Sequence, residues 1–289
     1  MRAYLPDYEI KAPNDLAEAL SLLSSDPGVW KPFAGGTDLM VLFEAGLLTH
    51  KKFVNIWNLP ELKGIDVATD HVTMGALITF TDVQRHDVLQ QEFPMLCRAA
   101  AETGGIAIQN RGTLAGNIAN ASPAGDSPPA LLVYDAQLEL ISTSGARWVS
   151  YTEFHTGYKK TVMDAGEIIS RIRLPRATAG WRQHYRKVGT RKAQAISKVC
   201  FAGMARMDAN KISEIRIALG SVAPVPLRCV KTEAVLNGIE LNDAAIKIGK
   251  TALMKEIVPI DDIRSTADYR LRVAANLLEE FLLTLRQSA

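Results

Sequence analysis

The stretch Arg111-Gly-Thr-Leu-Ala-Gly-Asn-Ile-Ala-Asn-Ala-Ser-Pro-Ala-Gly-Asp126 is short of bulky side chains and rich in groups that receive a ligand. Gly112 and Gly116 permit positive φ and close backbone approach. Thr113, Asn117 and Asn120 offer short hydrogen-bonding side chains, and Asp126 ends the run with a carboxylate. N–H groups exposed in a glycine turn donate to pyrophosphate oxygens without a fixed positive charge, so the chemistry this loop suits is holding a phosphorylated cofactor. Ordinary surface turns share the same composition. A second stretch, Ala34-Gly-Gly-Thr-Asp-Leu39, weighs between the two readings. It follows a predicted strand at Trp30–Phe33 and leads into Met40, Val41, Leu42 and Phe43, a helix start. That order puts turn N–H groups and the positive end of a helix on one anion. The Gly-x-Gly-x-x-Gly spacing and the P-loop lysine are both absent, so Rossmann and kinase readings fail.

The elements that must position these stretches follow from periodicity and punctuation. Leu16, Ala19, Leu20 and Leu23 recur at helical spacing behind Asn14 as N-cap, and Asp26-Pro-Gly28 stops the helix. Phe53–Ile56 reads as a strand and Leu59-Pro-Glu-Leu62 as a turn. Val67–Ala76 reads as a hairpin, Thr79–Leu89 and Met95–Glu102 as helices, and Gly104-Gly105 as the stop after the second. Leu131–Tyr134 is expected to be helical, with strands at Gln137–Ser142, Arg147–Ser150 and Glu167–Leu174. Arg176-Ala-Thr-Ala-Gly180 reads as a linker. Strands then follow at Trp181–Val188, Val199–Met207 and Glu214–Ser221 as an antiparallel sheet, with helices near Lys231–Leu236, Ala244–Met254 and Tyr269–Leu283. The expected class is α+β in three lobes, 1–58, 59–175 and 176–289.

A chain of 289 residues that is 47% hydrophobic can bury a core for such lobes. The opening residues hold no apolar signal region and no apolar run is long enough to span a bilayer, so no membrane span is expected. A net charge of +2 without a basic stripe argues against nucleic acid as partner. Cys97, Cys200 and Cys229 match no zinc or iron–sulfur spacing, which predicts no metal in this chain and reduced, buried thiols in a cytoplasmic protein. The five histidines form no His-x-x-x-His pattern, and no catalytic side chain is assigned.

The two glycine stretches, in this order and at this separation, resemble the FAD-binding (medium) subunit of the molybdenum hydroxylases, a family that includes xanthine and carbon monoxide dehydrogenases. The resemblance covers the whole chain. It is carried further by Ala121-Ser-Pro123 with Asp126, Tyr134-Asp-Ala136, Phe154-His-Thr-Gly157, Glu167-Ile-Ile169, Tyr185-Arg-Lys-Val188 and Ile196-Ser-Lys-Val199. It implies the FAD-binding fold of the vanillyl-alcohol-oxidase and p-cresol-methylhydroxylase type, closed by a C-terminal α+β lobe. The implied cofactor is noncovalent FAD, with His50 and His71 as surface turn residues rather than attachment sites. The implied contacts are Pro32, Phe33, Ala34, Gly35, Gly36, Thr37, Asp38 and Leu39 around the pyrophosphate. Thr113, Leu114, Ala115, Gly116 and Asn117 would form the second half of the cradle, with Thr103 and Gly104 beside it. Asp126 would hold the ribityl or ring region, with Ile169 and Lys187 approaching the flavin. Ala115 stands where the family usually has glycine, and Thr103-Gly-Gly-Ile106 departs from the commoner Gly-Asp/Ser-Pro-Gln.

The resemblance also implies an incomplete enzyme. Iron–sulfur and molybdenum-cofactor subunits would complete it as a heterotrimer that dimerises, electrons would collect on FAD, and NAD would accept them. The nearest likeness is to bacterial xanthine dehydrogenase FAD subunits. A self-contained flavoenzyme of the same fold, using Tyr185, Arg186 and Arg191 over the flavin, is the second expectation. A nucleotide-binding scaffold without turnover is the third.

Overall fold

The computed structural model describes residues 8–191 and 194–287. The opening Met1-to-Asp7 segment lies outside them. The first layer runs β1 (Glu9–Lys11), α1 (Leu16–Ser25), β2 (Trp30–Phe33), α2 (Thr37–Glu44) and β3 (Lys52–Asn55). Its sheet has the order β1-β3-β2 with both pairings parallel. Parallel neighbours need crossover connections, and α1 and α2 supply them. The cap of α1 is Asp15 rather than the expected Asn14: its carboxylate accepts from the Glu18 N–H at 2.8 Å. Asn14 instead donates its backbone N–H to the Glu18 carboxylate, so the acid-to-amide reciprocity is shifted by one residue.

The second layer holds β4 (Ile65–Val67), β5 (His71–Gly75), α3 (Phe80–Arg85), α4 (Asp87–Glu92), α5 (Pro94–Glu102), α6 (Ile106–Gln109), α7 (Leu114–Ala119) and α8 (Pro128–Val133). It continues through β6 (Gln137–Ser142), β7 (Gly145–Ser150), α9 (Tyr151–Phe154), β8 (His155–Gly157), β9 (Lys160–Thr161) and β10 (Ile168–Pro175). Its main sheet has the antiparallel order β4-β5-β10-β6-β7. The single helix expected over Thr79–Leu89 is two, because His86 between them is extended at φ −83°, ψ 117°. The Arg111-to-Asp126 stretch is not wholly loop. Thr113 caps α7 through the Gly116 N–H at 3.0 Å, and Leu114 and Ile118 are buried. The i, i+4 apolar pair lies hidden among glycine and asparagine.

The third layer is the four-stranded antiparallel sheet of β11 (Arg182–Val188), β12 (Val199–Asp208), β13 (Lys211–Gly220) and β14 (Leu227–Arg228), in chain order. Helices α10 (Val230–Leu236), α11 (Asp243–Glu256) and α12 (Ala267–Gln287) cover one face. Strand β12 belongs to two cores. Cys200, Ala202 and Met204 pack into the core shared with the first two layers, while Val199, Phe201 and Ala205 pack toward the helices. A Cβ at Gly203 would come within 2.8 Å of the Phe281 ring, so glycine there lets α12 lie on the sheet.

In the Phe154-His-Thr-Gly157 motif, His155 Nε2 lies 3.1 Å from the Tyr151 hydroxyl, and its buried Nδ1 has no hydrogen-bond partner. Burial pushes its pKa from 6.5 down to about 4. A depressed folded value means the stabilisation is whole above pH 6.5 and is lost as pH falls toward 4. Because the ring is part-exposed, the loss is discounted to about 1–2 kcal/mol. His155→Phe should flatten this slope in denaturant titrations across pH 7 to 4; an unchanged slope would assign the acid sensitivity elsewhere.

Candidate functional site

One cleft of about 770 Å³ runs between the layers. Its size suits a large cofactor. Pro32, Ala34, Gly35, Gly36, Thr37, Asp38 and Leu39 line it, and so do Thr103, Gly104, Thr113, Ala115, Gly116, Asn117, Asp126 and Ile169. Phe33, Leu114 and Lys187 are set back. The Phe33 ring lies beneath Gly36, where a Cβ would meet it at 2.6 Å, and stands edge-on to Phe53. Leu114 is fully buried. Lys187 stands behind Asp126, donating to its Oδ2 and to the Glu102 carbonyl, each at 2.7 Å.

The two glycine stretches meet backbone to backbone. A Cβ at Gly35 would fall 1.7 Å from the Arg111 carbonyl oxygen. Arg111 is itself held, its guanidinium stacked 3.9 Å from the Trp57 ring centroid. The second stretch is anchored to the connection from β5 into α3 by Phe80 N–H to Gly112 O at 3.1 Å and Leu114 N–H to Ile78 O at 2.9 Å. Asn120 ties the stretches laterally, donating to Asp38 Oδ1 at 3.1 Å. The N-cap of α2 is Gly36, left-handed at φ 76° and with no side-chain cap. The first-turn N–H groups of a helix have no intrahelical acceptor, and here Thr37, Asp38 and Leu39 line the cleft. An uncapped helix start, glycines where a side chain would collide, and apolar walls at Leu77, Phe80, Ile168 and Ile169 fit a dinucleotide carrying an aromatic ring system. The bulge between Ile169 and Arg171 lies where β10 reaches the cleft.

Asp126 is 8% exposed. Burial pushes its carboxyl above the ordinary range, opposed by the Lys187 ammonium and by the Lys187 and Ser197 hydrogen bonds. Burial likewise pushes up the Tyr185 hydroxyl and the Cys200 thiol behind it. Tyr185 donates to the Asp126 carbonyl at 3.0 Å. It is therefore spent on structure rather than standing over a cofactor, and Arg186 faces Glu280 at 3.7 Å.

Sequence reasoning missed several cleft residues: Lys31, His50, Met163, and Gln194, Ala195, Ile196 and Arg264 from the third layer. His50 is exposed, as expected of a turn, yet lines the cleft, and burial together with the Lys31 charge lowers its pKa. Asn120 was signalled by its place in the glycine stretch. Of the third-layer residues, Ile196 lies in a motif that carries the resemblance, Ile196-Ser-Lys-Val199, although no site role was read from it. Cys97 is half-buried rather than buried, while Cys200 and Cys229 are buried and all three are free. Among the described residues no group of three His, Cys, Asp or Glu side chains could hold a metal ion, and no helix is long and apolar enough to cross a membrane.

Comparison with known proteins matches the chain to two family models. Residues 6–177 match the family of FAD binding domains in molybdopterin dehydrogenase, and residues 183–285 match the CO dehydrogenase flavoprotein C-terminal domain. The chain is 32% identical to the putative xanthine dehydrogenase FAD-binding subunit of Escherichia coli K12, covering 92% of each. It is 30% identical to the glyceraldehyde dehydrogenase medium chain of Sulfolobus acidocaldarius, covering 93% of this chain and 95% of that one. The carbon monoxide dehydrogenase structure from Hydrogenophaga pseudoflava superposes with a TM-score of 0.92 at 29% identity, over 95% of this chain and 96% of that chain. With its cleft built from both glycine stretches, the chain belongs to the FAD-binding subunits of the molybdenum hydroxylase family and binds FAD.

Proposed function

We propose that this chain is the electron-transfer subunit of a xanthine dehydrogenase-like complex, taking electrons from iron–sulfur clusters on one partner chain, with the molybdenum cofactor on another, and passing them to NAD. FAD, when bound, supplies a carrier that is stable after one or two electrons. The protein's own part is to bind and orient. The backbone cradle at Gly35–Thr37 and Thr113–Asn117 would hold the phosphates, Asp126 would face the ribityl or ring region, and Ile168 and Ile169, which line the cleft, would exclude water from one side. The observation that carries the reading is the Gly35–Arg111 contact, which brings two cofactor-binding stretches into one site. The xanthine-like assignment leans on the Escherichia coli relative, although glyceraldehyde and carbon monoxide dehydrogenase subunits are of similar likeness.

No attachment residue is assigned, so acid precipitation should release the flavin as free FAD. Stopped-flow absorbance tests the division of labour. NADH is expected to reduce the flavin of the isolated chain, whereas xanthine should not until iron–sulfur and molybdenum chains are added. Bleaching by xanthine alone would make the chain a self-contained flavoenzyme instead.

A further inference from the structure

The segment Ala121-Ser-Pro-Ala-Gly-Asp-Ser127 walls the cleft but belongs to no helix or strand. Inside it, only Gly125 N–H to Ser122 O and Ala124 N–H to Ser122 Oγ bridge neighbouring residues. Ala121 is left-handed at φ 49°, a conformation that surroundings must impose on a residue with a side chain. Ser127 donates to Asn117 Oδ1 and Ala121 N–H to Ile118 O at 3.0 Å, while the bonds to Pro123 and Asp126 come from the third layer. Ser221 N–H donates to Pro123 O at 2.8 Å, Tyr185 to Asp126 O, Lys187 to Asp126 Oδ2, and Ser197 to Asp126 Oδ1. Ser197 is in turn fixed, its carbonyl accepting from the Ser221 hydroxyl at 3.0 Å, while buried Arg270 donates to Ser221 O at 2.8 Å. Gly220 sits so close that a Cβ would lie 3.3 Å from Pro123 O.

We infer that Ser197 is a positioning residue for FAD, acting through Asp126, and that the third layer sets the cleft wall on which the cofactor binds. Lys187 satisfies one carboxylate oxygen as a point charge on a flexible stem, which leaves the carboxylate plane free to turn. The second bond, from a fully buried hydroxyl, fixes that plane. The inference rests on the FAD reading of the cleft.

The test is FAD titration of the full chain stripped of flavin, followed by flavin fluorescence, for wild type, Ser197→Ala, Ser197→Thr, Asp126→Ala and the Ser197→Ala/Asp126→Ala double variant. Ser197→Ala should weaken FAD roughly 10-fold, as expected for a bond to a charged group, while Ser197→Thr stays within about 3-fold of wild type by keeping the hydroxyl. In the Asp126→Ala background, Ser197→Ala should change affinity less than about 2-fold, because coupled residues are non-additive. Unchanged affinity in Ser197→Ala, or the same loss in both backgrounds, overturns the inference. If Ser197→Ala does not fold, Ser197→Cys, which keeps the volume but donates only weakly, is read by the same comparison. A wild-type chain that takes up no FAD overturns the cleft reading along with it.

Discussion

Gly35→Ala is expected to leave the protein without FAD. The added methyl would sit 1.7 Å from the Arg111 carbonyl oxygen and 2.6 Å from its carbon. Both are backbone, so no side chain can swing aside. Arg111 has little room to retreat, since its N–H donates to Ile108 O at 3.1 Å and its guanidinium lies on Trp57. The two halves of the cradle must separate, at a cost of about 3 kcal/mol or more. Charged against cofactor binding, that is roughly a 100-fold loss. Gly46→Ala is the control: φ is 69° but nothing lies within 4 Å of the new Cβ, leaving only backbone strain of about 1–2 kcal/mol. The ratio of flavin to protein absorbance after purification reads the result. A full flavin complement in Gly35→Ala would disprove the close approach.

Lys187→Met should be the most destabilising of the single changes around Asp126. The two side chains are 4% and 10% exposed, and removing the cation strands a carboxylate in the interior. Breaking such a pair costs about 3–5 kcal/mol, which in a chain of this size lowers the melting point by roughly 6–15 °C. The sign of the pH dependence is fixed by the carboxyl. Its folded pKa lies above the ordinary 3.8 and rises further without Lys187. A raised folded value favours the fold below 3.8 and penalises it as pH climbs through that value. The variant's deficit should therefore be smallest in acid and largest near neutrality. Lys187→Met/Asp126→Asn should recover at least about half of the loss, because no charge remains buried. A deficit independent of pH, or a double variant worse than the single, would contradict the pairing.

Much of this site was legible because glycine restricts what a backbone can be doing. Ala34-Gly-Gly-Thr after an apolar strand announces a turn into a helix start, and the structure has β2, a left-handed Gly36 and α2 there. What Gly35 touches was not legible, since its collision partner Arg111 is distant in sequence and offers only a carbonyl. Lys187 carried more signal than was used. Tyr185 and Lys187 are two apart on β11, so they share a face, and both donate to Asp126. Gln194, Ala195, Ile196 and Arg264 reach the cleft from irregular segments, where neither period nor turn chemistry marks a wall. The split at His86 was invisible for a related reason: the apolar spacing continues across it while the backbone does not.

Strand β10 is last in sequence yet central in its sheet, pairing Arg171 with Gly75 on one side and Ile172 with Leu138 on the other. As the chain leaves the ribosome, the β4–β5 and β6–β7 hairpins therefore wait with open edges until residue 175 has been made. Contacts so far apart in sequence are slow to close, and unpaired edges recruit other chains in the interval. By contrast β12 and β13 are joined by a tight turn and can pair as soon as they emerge. Newly made protein thus carries its greatest aggregation risk midway through synthesis, before the element that joins both hairpins exists.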